Sequence, residues 1–320
     1  MQTGAKIYVA GHTGLAGSAI MRALGRAGYA NLALRRHAEL ELADGAAVRA
    51  FFERERPEYV FLAAAKVGGI LANNSYPADF VHDNLAVQLN VIHEAWRQGV
   101  KRLVFLGSSC IYPRDCPQPM REAHLLTGSL EPTNRPYAVA KIAGIEMCWS
   151  YNRQHGSRFL AAMPTNLYGI GDNYDLQNSH VLPALIRKIH EAKKAGAPSV
   201  TLWGSGRPTR EFLFSDDMAE ACVFLMRLPP ERFDALVAPA QVPLINIGVG
   251  SDQSIAELAT QVAETLEYRG EFVYDASKPD GMPRKLMDSS RMLGLGWAPR
   301  MPMREGLKIA YADFLRRFPG

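Results

Sequence analysis

Short apolar runs alternate with longer stretches of helical periodicity through the first half of the chain. The apolar run Ile7 to Ala10 is followed by Gly14 to Arg26, where apolar positions recur at helical spacing, and then by the apolar run Leu32 to Leu34. The same alternation predicts strands at Tyr59 to Ala64, Leu103 to Leu106 and Phe159 to Met163, and helices at Ala46 to Arg54, Asp79 to Gln98 and Tyr137 to His155. Parallel strands need helix-length connections, and these helices cover both faces of the sheet. The pattern therefore predicts an α/β fold with a doubly wound parallel sheet.

After Pro164 the regular alternation gives way to loop-rich sequence with shorter elements. Strands are predicted at Val200 to Trp203, Leu244 to Ile247 and Phe272 to Tyr274, and helices at Val181 to Lys194, Ser254 to Leu266 and Arg304 to Arg317. We expect residues 1–164 to form one domain and residues 165–320 a smaller C-terminal α/β domain, with chain segments able to exchange between the two. Clefts between domains commonly bind ligands.

Length, charge and cysteine content narrow the class of protein. At 320 residues the chain exceeds the ~250 to 300 residues at which one core stops growing. The formal charge of +4 is nearly balanced and no basic block occurs, so a nucleic-acid partner is not expected. Apolar runs such as Tyr59 to Ala65 are too short to span a membrane, and Met1 to Lys6 lacks the segments of a secretory signal. Four cysteines without paired spacing predict reduced thiols in a cytoplasmic protein.

A glycine-rich turn joins the first predicted strand to the first predicted helix. Glycines at three-residue spacing allow a tight turn, close approach to a pyrophosphate and packing of the helix on the sheet, while helix N-terminal amides face the anion. The alternative is a glycine-rich turn that binds nothing, although its place between a strand and a helix favours a Rossmann dinucleotide site. The candidate cofactor-binding residues are Gly11, His12, Thr13, Gly14, Leu15, Ala16 and Gly17.

Two arginines follow the second predicted strand, where an enzyme that uses NAD usually has an acidic residue. Arg35 and Arg36 stand there, and arginine accommodates the 2′-phosphate of NADP. This favours NADP(H), and the alternative is that both arginines are solvated surface charges, with Glu39 close by in sequence.

Tyr137 and Lys141 lie four residues apart, on one face of a helix that begins just after Pro136. A nearby ammonium favours phenolate, so we expect Lys141 to lower the pKa of Tyr137 and make it a usable proton donor. Ser108 follows the predicted strand Leu103 to Leu106, at the sheet edge where α/β proteins bind ligands, and can hydrogen-bond a substrate carbonyl.

The glycine loop, the serine and the Tyr-x-x-x-Lys motif resemble those of the extended short-chain dehydrogenase/reductase family. Further motifs extend the resemblance to the GDP-L-fucose synthases: Gly107-Ser-Ser-Cys-Ile-Tyr-Pro113, Glu131-Pro-Thr-Asn134, Tyr137-Ala-Val-Ala-Lys-Ile-Ala-Gly144, Met163-Pro-Thr-Asn-Leu-Tyr-Gly169, Asn178-Ser-His180 and Lys278-Pro-Asp-Gly281. The resemblance implies epimerisation of GDP-4-keto-6-deoxy-D-mannose at C3 and C5, then reduction of the C4 ketone by NADPH to give GDP-L-fucose.

Carried over to this chain, the resemblance assigns catalytic roles to Ser108, Tyr137, Lys141, Cys110 and His180. Ser108 and Tyr137 would hold the C4 carbonyl, and Cys110 and His180 would exchange protons on opposite faces of the sugar. Without the shared motif, Cys110 would be interpreted as a structural thiol. The resemblance also implies a cofactor lining of Leu106, Gly107, Ser108, Ser109, Lys141, Pro164, Thr165, Asn166, Leu167 and His180.

For the GDP-sugar, the resemblance implies binding by Lys188, Trp203, Arg210 and Asp280, with Arg187 as an alternative to its neighbour Lys188. Cations suit a diphosphate, and an aromatic face can stack on a ring. The alternative for Trp203 is that its side chain packs in the hydrophobic core and binds no ligand.

Two positions depart from the bacterial pattern. Thr13 and His37 stand where arginines often help bind the 2′-phosphate, so the charge has to come from Arg35 and Arg36.

The resemblance also implies a homodimer built from the helices near Asp79 to Gln98 and Tyr137 to His155. Two alternatives remain: an enzyme of the same family acting on another GDP-4-keto sugar such as a heptose, and a non-catalytic NADP-binding sensor. No metal site is expected, because the histidines and cysteines lack ligand spacing.

Overall fold

The computed structural model describes residues 1–176, 178–278 and 280–319. Pro279, which belongs to the motif at 278–281, lies outside the described residues, as do Gln177 and Gly320. The described strands are β1 (Ile7–Ala10), β2 (Leu32–Ala33), β3 (Tyr59–Leu62), β4 (Arg102–Leu106), β5 (Phe159–Pro164), β6 (Asn166–Tyr168), β7 (Ser199–Trp203), β8 (Thr209–Arg210), β9 (Phe212–Phe214), β10 (Leu244–Ile247), β11 (Gln253–Ser254), β12 (Glu271–Asp275) and β13 (Arg284–Lys285).

The described α-helices are α1 (Leu15–Arg26), α2 (Gly45–Glu55), α3 (Ile70–Ser75), α4 (Pro77–Arg97), α5 (Arg135–His155), α6 (Val181–Ala195), α7 (Ser215–Arg227), α8 (Pro230–Leu236), α9 (Ile255–Leu266), α10 (Ser290–Gly294) and α11 (Met303–Arg317). Short 3-10 helices cover Ser109–Ile111, Glu122–His124 and Pro132–Asn134. None of the described helices combines the length and hydrophobicity that a membrane span requires.

The main sheet is parallel and has the strand order β2-β1-β3-β4-β5-β10 in the described part of the chain. Helices α2, α4 and α5 pack on one face, where Phe52, Val91 and Ile145 join the core. Helices α1 and α7 cover the other face, with Ile20 and Met218 among their buried residues. The predicted doubly wound sheet is confirmed, and its strand order reverses between β1 and β3, next to the glycine loop.

A smaller unit stands beside the carboxyl ends of these strands. Helices α6, α9 and α11 share a core with the paired strands β7 and β12, which includes Tyr168, Ile186 and Val262. Strand β8 lies between β11 and β13, and β6 pairs in parallel with β9. Of the residues predicted to bind the GDP-sugar, Trp203 ends β7, Arg210 lies on β8, and Lys188 lies on α6.

The assignment of Leu244 to Ile247 to the smaller domain was wrong. This strand, β10, pairs in parallel with β5, with Leu244 opposite Ala161, and so forms an edge of the main sheet. All four of its residues are buried, so its sequence does not indicate which sheet it joins. Helix α7 also returns to the main sheet, where Asp216 forms an ion pair with Arg22 of α1 at 2.6 Å.

Candidate active site

The glycine loop is a tight cradle at the N-terminus of α1. Gly11 has φ +81°, and a Cβ at Gly17 would lie 2.0 Å from the Gly11 carbonyl oxygen, so neither position tolerates a side chain. No side chain caps the helix at Gly14, and no acidic residue lies in its first turn. The helix amides are therefore available to an anion, as a dinucleotide pyrophosphate requires.

The two candidate 2′-phosphate arginines have different surroundings. Arg35 donates to Glu55 at 2.7 Å and lies over the Phe51 ring, whereas Arg36 is exposed and its side chain makes no ion pair within the described residues. Desolvation and the nearby charge of Arg36 lower the pKa of His12, whose buried Nδ1 has no hydrogen-bond partner among those residues. The cation available at this end of the glycine loop is therefore Arg36.

Ser108 and Cys110 lie directly beyond the carboxyl end of β4. Ser108 caps a 3-10 turn by accepting from the Cys110 amide at 3.5 Å, and its hydroxyl acts to lower the pKa of both the Tyr137 phenol and the Cys110 thiol. Cys110 is only 5% exposed, and burial raises its pKa while Lys285, Ser108 and Lys141 act in the opposite direction. One hydroxyl thus links the predicted proton donor to the predicted base.

Tyr137 and Lys141 face the same part of the site from α5, as their spacing predicts. The Lys141 ammonium lies 5.8 Å from the Tyr137 ring centroid, but it donates to the Leu106 carbonyl at 2.8 Å and lies 4.7 Å from the Phe105 ring centroid. Burial raises the pKa of Tyr137 and lowers the pKa of Lys141 to about 8. We expected Lys141 to lower the pKa of the phenol, but in this structure desolvation dominates and the phenol remains protonated.

His180 precedes α6 and is exposed to the cleft. Its pKa is lowered by desolvation from the surrounding protein and by the charge of Lys285. The charge of the same ammonium also acts on Cys110, so the cysteine and the histidine share one electrostatic neighbour. The structure therefore brings these two distant sequence positions into one neighbourhood.

Trp203, at the end of β7, is a flat surface flanked by two lysines. Its side chain is 50% exposed, which argues against core packing, and the ammonium groups of Lys188 and Lys278 lie 4.8 Å and 5.7 Å from its ring centroid. Arg187 instead pairs with Glu191 at 2.7 Å. Of the two neighbouring cations on α6, Lys188 is the one that lies at the aromatic surface.

Arg210 and Asp280 lie near each other on the same side of the cleft. Arg210 on β8 is half-buried and donates to its neighbouring Thr209 carbonyl at 2.7 Å. The Asp280 carboxylate accepts from the Ser205 amide at 2.6 Å and from the Ser205 hydroxyl at 2.8 Å. Asp280 therefore fixes the turn after Trp203.

The segment from Pro164 to Leu167 leaves the main sheet at the end of β5. Thr165 donates its hydroxyl to the Glu211 carbonyl at 3.1 Å, and Asn166 donates to the same oxygen at 2.8 Å. This segment, Leu106 and Gly107 all lie where β4 and β5 end, which is the location predicted for the nicotinamide end of the cofactor.

Sequence reasoning missed two lysines of this site. Lys278 belongs to a recognised motif, but the sequence does not show that it lies beside the exposed Trp203. That position follows from the pairing of β12 with β7 in the structure. Lys285 lies on the two-residue strand β13, which is too short to produce a periodic signal.

The comparisons with known proteins agree with this geometry. A model of the NAD dependent epimerase/dehydratase family matches residues 7–235. GDP-L-fucose synthase 1 of Arabidopsis thaliana is 55% identical over 312 residues, which cover 98% of this chain and 94% of that protein. GDP-L-fucose synthase of Escherichia coli strain K12 is 52% identical over 318 residues, covering 98% of this chain and 99% of that protein.

Among solved structures, the GDP-D-glycero-L-gluco-heptose synthase of Campylobacter jejuni, determined in the presence of NADPH, has a TM-score of 0.91 and 38% identity, covering 98% of this chain and 99% of that chain. The chain belongs to the NAD dependent epimerase/dehydratase family and, within it, to the GDP-L-fucose synthases, which confirms the family assigned from its motifs.

Proposed function

We propose that this protein converts GDP-4-keto-6-deoxy-D-mannose to GDP-L-fucose by epimerisation at C3 and C5 and NADPH-dependent reduction at C4. The observation that carries this proposal is the meeting of Ser108, Tyr137, Lys141 and Cys110 at the carboxyl end of β4. The relatives at 55% and 52% identity support the same activity.

NADP(H) fits the glycine cradle, because the turn at Gly11 and Gly17 leaves room only for backbone and the α1 amides carry no cap. When bound, NADPH supplies the hydride for the C4 carbon. Lys141 would hold the nicotinamide ribose, and Arg36 would hold the 2′-phosphate. The segment at 164–167 would border the nicotinamide.

In the reduction, Ser108 and Tyr137 hold the C4 oxygen and Tyr137 donates a proton to it. Burial keeps the Tyr137 pKa raised, so the phenol carries the proton that it has to donate. Removal of the hydroxyl by Tyr137→Phe should reduce the reduction rate by at least ~100-fold, the usual contribution of general acid catalysis.

In the epimerisation, the same two hydroxyl groups polarise the C4 carbonyl and so acidify the neighbouring C–H bonds. Cys110 takes a proton from the sugar, the electron pair moves toward the C4 oxygen, and His180 returns a proton on the opposite face. Two groups are needed because inversion cannot be completed from one side.

The test is incubation with substrate and NADPH in deuterated water, followed by cofactor absorbance and NMR of the product. We expect NADPH oxidation and GDP-L-fucose labelled at C3 and C5. Reduction without labelling would leave a simple ketoreductase, and preferential turnover of a GDP-4-keto-heptose in a parallel reaction would favour that alternative. Absence of turnover with both sugars, despite NADPH binding, would favour a sensor.

Variants at two cysteines separate the steps. Cys110→Ser should abolish labelling at C3 and C5 while NADPH binding is retained. Cys116→Ser is the matched control, because this second buried thiol has no assigned role and should label at the parent rate. Labelling by Cys110→Ser at the parent rate would remove Cys110 from the scheme.

For the GDP moiety, we propose that the diphosphate lies between Lys188 and Arg210 and that a ring stacks on Trp203. The exposed aromatic face between two lysines supports this placement. Asp280 contributes by holding the turn at Ser205, and its carboxylate oxygens can accept a further hydrogen bond from the ligand.

We also propose a homodimer formed by α4 and α5. These helices pack on each other and expose Leu85, Leu89 and Val139, a surface that a second copy would bury. Light scattering should give a dimer, and Leu89→Glu should shift it to monomer. The four buried, unpaired cysteines suit a cytoplasmic location, which cell fractionation would test.

A further inference from the structure

Lys285 is held at the site by the backbone of a strand that has no other assigned role. Strand β13 runs parallel to β8, and Lys285 lies opposite Arg210 in this ladder. The following residues are anchored as well, because the Leu286 amide donates to Gln118 Oε1 at 2.9 Å and the Met287 amide donates to Glu211 Oε2 at 3.1 Å. The base of the Lys285 side chain is therefore fixed relative to the cleft.

The Lys285 ammonium makes no hydrogen bond or ion pair with the residues that the structure describes. It is half-buried, and the groups that interact with it electrostatically are Cys110, Arg210, Glu131, Cys116 and His180. The neighbouring Arg284 differs, since it donates to Asp252 at 2.7 Å and is exposed. Lys285 thus places an unpaired positive charge among the groups proposed to exchange protons.

A buried thiol needs a nearby positive charge to stabilise its thiolate form. Burial disfavours the Cys110 thiolate and raises its pKa, while Lys285 is the first of the groups that lower it, followed by Ser108 and Lys141. Lys141 is already engaged with the Leu106 carbonyl at 2.8 Å. Lys285 makes no hydrogen bond with the described residues, and its own pKa is lowered by desolvation and by the charge of Arg210 and raised by Cys110 and Glu131.

We propose that Lys285 is a positioning residue for epimerisation: its ammonium stabilises the Cys110 thiolate and so sets the fraction of enzyme able to take a proton from the sugar. This inference rests on the proposed function, in which Cys110 is the base. In the step itself, the C–H bond breaks as the S–H bond forms, and the electron pair moves toward the C4 oxygen held by Ser108 and Tyr137. Lys285 keeps its proton throughout.

The first measurement is the thiolate titration of Cys110 by ultraviolet absorbance, taken as the difference between each protein and its Cys110→Ser counterpart. Lys285→Met should move the midpoint to higher pH by about one unit, a tenfold loss of thiolate near neutral pH. Lys285→Arg should keep the parent midpoint. Arg284→Met, the matched control on the same strand, should also keep it.

The second measurement is deuterium exchange into the keto-sugar without NADPH, as a function of pH. Lys285→Met should exchange about tenfold more slowly near neutral pH and approach the parent rate at alkaline pH, with KM for the GDP-sugar changed less than about twofold. Circular dichroism and a second variant, Lys285→Gln, separate this effect from misfolding.

An unchanged thiolate midpoint in both Lys285→Met and Lys285→Gln would overturn the proposal. A raised KM with an unchanged midpoint would also overturn it and would make Lys285 a diphosphate ligand. If Cys110→Ser still exchanges deuterium, the base assignment in the proposed function fails, whereas the thiolate titration still reports on Lys285 by itself.

Discussion

Asp172 is a buried carboxylate on the segment between β6 and His180, and its replacement by asparagine should stabilise the protein at neutral pH. Asp172 is 5% exposed, and desolvation raises its pKa from 3.8 to about 7, against the hydrogen bond from the Asn173 amide and the charge of Arg317. Asparagine has the same shape, keeps an oxygen for the Asn173 amide and carries no charge to desolvate.

The size of the effect on the free energy of unfolding follows from the pKa shift of Asp172. Because the pKa of the folded protein lies above that of the unfolded chain, Asp172 holds its proton more tightly when folded, and stability falls as pH rises from about 4 to about 7. The full shift corresponds to about 4 kcal/mol, and the part between pH 5 and pH 7 to about 2 kcal/mol. The penalty is complete above pH 7.

Urea unfolding of the parent and Asp172→Asn at pH 5 and pH 8 measures this penalty. The advantage of the variant should grow by roughly 2 to 3 kcal/mol between the two pH values. The matched control is Asp313→Asn, because Asp313 is as buried but accepts from the Gly171 amide and from Arg316, both at 2.8 Å. The control should lose about 1 to 3 kcal/mol. An equal advantage of Asp172→Asn at both pH values, or lower stability than the parent at pH 8, would refute the reasoning.

Other predictions concern the ligand sites. Arg36→Ala should raise KM for NADPH about tenfold and leave KM for NADH nearly unchanged, because one charge-assisted contact is worth at least ~1.5 kcal/mol. Arg35→Ala is the control and should not discriminate between the two cofactors, because Arg35 is paired with Glu55. Steady-state kinetics with both cofactors would show whether the 2′-phosphate is bound by Arg36 and not by Arg35. Gly17→Ala should abolish NADPH binding in calorimetry, since its Cβ would lie 2.0 Å from a loop oxygen, whereas Gly25→Ala, with open space around it, should bind normally. Trp203→Ala should raise KM for the GDP-sugar about tenfold while kcat stays within twofold, and a KM equal to the parent's would place the ring elsewhere.

The elements that sequence predicted well are those whose signal is local. The run Ile7 to Ala10, the glycine loop and the helix behind it lie within twenty residues of one another, so periodicity and the steric needs of glycine suffice to predict them. The face shared by Tyr137 and Lys141 follows from helical spacing for the same reason. The four-residue strand β10 was assigned to the wrong sheet, because a fully buried run does not indicate its neighbours.

Charge partners across long sequence separations could not be predicted. Glu55 engages Arg35 from 20 residues away and thereby distinguishes two arginines that look equivalent in sequence. The Leu106 carbonyl accepts from Lys141 across 35 residues, so the ammonium is directed toward backbone as well as toward the phenol. The charge of Lys285 acts on Cys110 across 175 residues of sequence, and the pairing of β13 with β8 fixes where that lysine lies.

One buried residue ties together the two halves of the proposed chemistry. Glu211 is 0% exposed, and its carboxylate accepts from the Gly250 amide at 2.7 Å, beyond the main-sheet strand β10, and from the Met287 amide at 3.1 Å, beyond the strand that carries Lys285. Its backbone carbonyl also holds Thr165 and Asn166, which border the nicotinamide in the proposed complex. A displacement of this one residue would move the epimerisation lysine and the cofactor segment together. Because Ser108 and Tyr137 serve both steps, the two reactions need a common frame, and a buried glutamate whose carboxylate and backbone carbonyl together bond three chain segments is well suited to maintain it.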